Sequence, residues 1–77
     1  MNQPTQQQSD DFLAGRAVPG LAFAHDDLVE ILAGEQAGNV GSLVGLVSCG
    51  DDPVYVVEID SGFEVEVAQS GLKRADD

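Results

Sequence analysis

His25 followed by Asp26 is the pairing from which an oriented general base is built, a carboxylate holding an imidazole in one tautomer. Such a base also needs a nucleophile or a substrate pocket within reach, and none is evident around it, so His25 reads as an exposed turn histidine. Asp26 and Asp27, if the fold brought them to Asp51 and Asp52, would offer hard oxygen ligands to a divalent cation. Their spacing lacks the alternating aspartates and terminal glycine of a calcium loop, and solvated turn carboxylates are expected instead. Cys49 is the single cysteine and lies among acids, which raise a thiol's pKa, so a small strand-end filler is expected there. Gly38-Asn39-Val40-Gly41 has glycines spaced as in a phosphate cradle, but no lysine follows and no helix opens, and a tight turn accounts for the pattern. With one His and one Cys, the three or four ligands of a zinc site are not available within the chain. No catalytic residue, cofactor or metal is therefore expected, and the chain reads as non-enzymatic.

What remains is acid. Fourteen Asp and Glu against Arg16, Lys73 and Arg74 leave a formal net charge of -11, which repels phosphate backbones and anionic headgroups alike. Neither nucleic acid nor a membrane is an expected partner. Such acidity is first a solubility device. In functional terms it suits a basic protein partner, and Glu58, Glu64, Glu66, Asp51 and Asp52 are the residues expected to meet it. Association of that kind is fast and salt-sensitive. A sharper form of the same reading is an immunity-type or antitoxin-like inhibitor, a small acidic protein that blocks the cationic groove of a toxin. A monomer is expected, with a dimer as the alternative.

The elements that position these residues are short. A chain of 77 residues is one domain, burying only about 60% of the surface its unfolded form exposes. Residues 1–9 are polar and Gln-rich, too poor in apolar area to offset their ordering entropy, and a disordered tail is expected there. Residues 10–20 read as a short helical turn capped by Ser9, or a loosely packed segment, ended by Gly15 and Pro19-Gly20. Residues 21–74 carry strand signals. Val29 and Ile31 share a face, Val40 to Ser48 is an apolar run with glycines for bending, and Val54 to Ile59 is β-branched. Phe63, Val65 and Val67 alternate with Glu64 and Glu66, after a hairpin loop in which Gly62 can take positive φ. Gln69 to Gly71 is a tight turn returning Leu72 to the core, and residues 75–77 are a frayed end.

This pattern predicts an all-β fold, a small SH3-like barrel of four to five short antiparallel strands. The predicted core is Leu21, Phe23, Val29, Ile31, Val40, Leu43, Leu46, Val47, Tyr55, Val57, Ile59, Phe63, Val65, Val67 and Leu72. Leu28, Leu32, Val44, Val54 and Val56 fall on the outer sides of their strands. They would form an apolar patch by which the domain packs on a larger enzyme as an accessory subunit, or complete a second core under Phe12, Leu13 and Val18. Met1 to Gln8 has no basic patch followed by an apolar stretch, so no targeting peptide is expected, and with a lone thiol the expected location is cytoplasmic.

The run from Ala37 to Val44 with its Gly38-x-x-Gly41 turn, the strand Val54-Tyr55-Val56-Val57-Glu58-Ile59, Gly62, and Leu72-Lys73-Arg74 together resemble the DUF4926 family of short bacterial proteins of unknown function. That family's pattern has a valine strand after the glycine turn, a Tyr-x-Val-Glu-Phe strand, a hairpin glycine and a terminal Asp-Leu-Arg. The resemblance spans Asp27 to Arg74, with Ile59 where the family carries an aromatic residue and a shorter loop at Asp60 to Gly62. It implies an SH3-like barrel in the wider KOW sense and carries no catalytic residues.

Overall fold

Alternating β-branched residues punctuated by glycine turns build five antiparallel strands: β1 (Leu28–Ile31), β2 (Val40–Ser48), β3 (Val54–Ile59), β4 (Phe63–Ala68) and β5 (Leu72–Arg74). They are seen in a computed structural model that describes residues 3–75. The strand order is β4-β3-β2-β1-β5: a four-strand meander whose fifth strand returns to pair with the first, the SH3-like arrangement. One-turn 3-10 helices at Asp60–Gly62 and Gln69–Gly71 make the last two connections. Gly62 has φ +80°, the left-handed conformation expected of the hairpin glycine. The strand expectation thus holds at its upper count of five.

Val29, Ile31, Leu43, Tyr55, Val57 and Leu72 point inward and are buried, with Leu21, Phe23, Leu46, Ile59, Val65 and Val67 packed around them. Tyr55 is central: its ring meets Phe12 and Phe23, and its hydroxyl donates to Gln69 Oε1, which also accepts the Ala22 backbone N–H at 2.8 Å. A buried phenol needs such a partner. Burial, the dominant cause, pushes the Tyr55 hydroxyl up to about 12.

β2 curls through two register shifts against β3, one between Leu43 and Gly45 and one between Leu46 and Ser48. An extra residue in one strand bends it and interrupts the in-out alternation, so Leu43 and Leu46 both face the core although an odd number of steps separates them. Two expected core residues of β2 fail, Val40 by plain alternation upstream of both shifts and Val47 at the second shift. Val40 lies on the outer face opposite Glu30 and is 49% exposed, and Val47, the extra residue at the second shift, is half-buried outside the cluster. Phe63 is also corrected: it pairs with Ile59 at the open end of the sheet and is 57% exposed.

The expected disordered tail over 1–9 is corrected as well. α1 (Gln6–Leu13) is a helix capped by Thr5 rather than Ser9, with the reciprocal Thr5–Gln8 capping box. Gln6–Asp10 and Gln7–Asp11 side-chain bonds and the Arg16–Asp11 ion pair add local support to a polar helix. Only Phe12 of α1 is buried, at 1% exposure, and with Val18 it enters the main core beside Tyr55 and His25. The N-terminal segment completes the one core; Leu13 stays exposed. Ala75 donates to the Leu28 carbonyl, whereas residues 1–2 of the expected tail and 76–77 of the expected frayed end lie outside the described residues. Among the described residues no helix is long and apolar enough to cross a membrane.

Candidate functional site

The acids singled out in the sequence divide into two groups. β3 and β4 pair in register, setting Glu58 directly opposite Glu64 and Val56 opposite Glu66. Since side chains alternate faces along a strand, Glu58, Glu64 and Glu66 share the outer face. Directly opposed side chains in such a ladder have Cβ atoms about 5 Å apart, close enough for like charges to repel. Glu64 and Glu66 are exposed and Glu58 is half-buried.

No base relieves this cluster among the described residues. The chain has three Lys and Arg, and each pairs elsewhere: Arg16 with Asp11 at 2.8 Å, Lys73 with Glu30 at 3.6 Å, Arg74 with Asp27 at 3.1 Å. Arg74 also lies over the Phe23 ring, 5.7 Å from its centroid. The basic side chains thus brace the N-terminal segment and the β1 side of the sheet, leaving the β3–β4 acids without a counter-charge.

Asp51 and Asp52 sit in the β2–β3 turn, at the far end of β3 from Glu58. They are thus separated along β3 from the Glu58–Glu64 pair and do not belong to the same carboxylate cluster. Asp52 instead ties the β2–β3 turn to the Gln69–Gly71 turn, accepting from the Ser70 backbone N–H at 2.9 Å and from the Ser70 hydroxyl at 2.7 Å. These bonds, the hydroxyl's first, hold its carboxyl below the usual aspartate value.

The other candidate groups are occupied in the scaffold. Asp27 accepts from the Ala24 N–H and from Arg74, and Asp26 takes φ +71° in the same turn. His25 lies edge-on to Phe12 with Nδ1 3.4 Å from Asp26 Oδ2, and Cys49 is a half-buried free thiol at the end of β2. Among the described residues no group of three or more His, Cys, Asp and Glu is placed to hold a metal ion. Gly38 has φ +91° and its N–H donates to the Ile31 carbonyl, so the Gly38-x-x-Gly41 pattern serves the β1–β2 turn.

Two features escape sequence reasoning. The outer face of β1 and β2 carries Leu28 and Val40 as diagonal neighbours, 52% and 49% exposed, flanking the Glu30–Lys73 pair. Leu28 is legible there, but Val40 is not, because its facing follows from pairing opposite Glu30, which the continuous apolar run Val40 to Ser48 does not reveal. The second feature is the position of β4 at the end of the strand order, which no local pattern encodes. No family model, no curated protein and no solved structure matches the chain.

Proposed function

We propose that this protein is a non-catalytic interaction module whose outer β3–β4 face, formed by Glu58, Glu64 and Glu66, binds a basic surface of a partner protein. The observation that carries the reading is the register itself: Glu58 stands opposite Glu64 with every basic side chain engaged elsewhere. Juxtaposed carboxylates cost folding free energy, and a cationic partner would offset that cost on binding. An immunity-type inhibitor of a basic toxin is the specific form of this activity, acting by occlusion and requiring no group of its own to react. Kinship with the DUF4926 proteins belongs to the same proposal, resting on the glycine turn and the Val54–Ile59 strand. Asp51 and Asp52 stand outside the proposed contact, since Asp52 is engaged by Ser70 and lies at the other end of β3.

The test is capture of partners from the native lysate on the wild-type chain and on the triple variant Glu58→Gln, Glu64→Gln, Glu66→Gln, followed by a salt step. A basic protein held by the wild type, released by salt and missed by the variant supports the reading. A partner held equally by both baits overturns it. Leu28 and Val40 favour a second reading, an accessory subunit packed through the β1–β2 face; there the partner resists salt and is lost on Leu28→Ser instead.

A further inference from the structure

We propose that β4 is a docking edge, to which an extended segment of a partner protein with Lys or Arg at alternate positions adds as a sixth strand beside Phe63–Ala68. This rests on the acidic-face reading and specifies how the basic partner is held. β4 closes one end of the strand order and its ladder runs only to β3; among the described residues the one further backbone bond is at its head, where the Phe63 N–H donates to the Asp60 carbonyl. An end strand presents a row of N–H and C=O groups ready to pair with another chain. The opposite end strand, β5, offers only three residues, half the length of β4.

The inward row of β4 is also incompletely covered. Val65 and Val67 stand opposite Val57 and Tyr55, yet both are half-buried while their partners are fully buried, and Phe63 at the head of the row is 57% exposed. One strand further in, two flanking strands close over the same row; β4 has a neighbour on one side only. An added strand supplies the missing flank, with its apolar or small residues beside Phe63, Val65 and Val67. Its alternate residues then fall on the outer face beside Glu64 and Glu66.

Charge decides the occupant. A second copy pairing antiparallel about Val65 would set Glu64 of each chain against Glu66 of the other, four carboxylates in one patch. A strand with Lys or Arg at those positions converts the same register into opposed pairs. Glu64 and Glu66 thus guard the edge against self-association and admit a cationic strand.

The experiment uses the full chain, labelled for amide-resolved NMR, at low salt. The probe is a blocked peptide of about eight residues alternating lysine and threonine, long enough to span a strand of ordinary length. Two further versions carry N-methyl groups on every lysine or on every threonine, retaining all charges while removing the N–H groups of one edge or the other. Strand addition predicts shifts and slowed amide exchange along Phe63–Ala68. It also predicts that one N-methyl set weakens binding about tenfold or more, through lost main-chain bonds, while the other set changes it less than about twofold. Equal affinity for all three peptides, or equal weakening by both sets, overturns strand addition and leaves the acidic face as a purely electrostatic surface. Binding centred on β1 and β2 overturns it too. Failure of every peptide to bind overturns strand addition and counts against the acidic-face reading with it.

Discussion

Gly41 sits where β2 passes close against the β3 backbone. A Cβ built on it would collide with the carbonyl oxygen of Glu58 and sit 2.9 Å from Val57 Cγ1, so only hydrogen fits between β2 and the floor of the acidic pair. Gly41→Ala is expected to cost roughly 3 kcal/mol, the upper end for overpacking, read from the denaturant midpoint. Gly45→Ala is the control, because its Cβ meets only the Val56 side chain, at 3.3 Å, and it should cost much less. Tyr55 supplies a second residue-scale prediction. Its folded value of about 12 stands above the ordinary 10.0, so its contribution is complete below about pH 10 and is lost as pH climbs toward 12. As the only tyrosine, its phenolate absorbance should rise together with loss of folded structure in that window. Titration near pH 10 with the fold intact would show the hydroxyl to be solvated instead. Gly41 is visible in the sequence as the second glycine of a turn. The carbonyl pressed against it belongs to a residue 17 positions later and is not.

At the scale of elements, α1 shows how little apolar surface can anchor a polar helix. Its local signals, the Thr5–Gln8 box and the Gln–Asp pairs, stabilise the helix by tenths of a kcal/mol to about 1 kcal/mol each. Eight residues are too few to be helical on such terms alone. Phe12 provides the remainder by filling the space between Tyr55 and His25. Phe12→Ala is expected to cost about 3–4 kcal/mol and to release α1 from the sheet, seen as faster exchange of the Ser9 and Ala14 amides. A variant that lost stability while those amides remained protected would show that α1 is held by something other than Phe12. The average polarity of residues 1–9 points to disorder because it contains no trace of this anchor: docking is decided by one aromatic ring further along the chain. The strands are legible because hydrophobic alternation is local, and β3 and β4 stand where the pattern places them. Bulges in β2 are less legible: they follow from curvature, and they bring Leu43 and Leu46 to one face while leaving Val47 outside the core.

For the whole molecule, the net charge of -11 is spread unevenly. The cations stand near the N-terminal segment and β1, so self-repulsion concentrates on the β3–β4 side. Screening shortens the reach of such repulsion from about 20 Å at 0.02 M salt to about 4 Å at 0.5 M. Raising salt over that range is therefore expected to raise Tm by roughly 3 °C or more. The triple glutamine variant at Glu58, Glu64 and Glu66 should start with a higher Tm and respond less. An unchanged salt response in that variant would place the repulsion elsewhere on the surface.

Composition and alternation by themselves determined that this chain is a small all-β domain, that it is strongly acidic, and that Glu64 and Glu66 face outward opposite Phe63, Val65 and Val67. These properties depend on residue type and on a period of two along a single strand, both read without knowing any partner strand. Tertiary structure alone decided that Glu58 meets Glu64, that Asp52 is engaged by Ser70, and that β4 rather than β2 forms an edge. Each of these depends on register or strand order, and those are settled by how the whole chain buries one core around Tyr55 and Phe12.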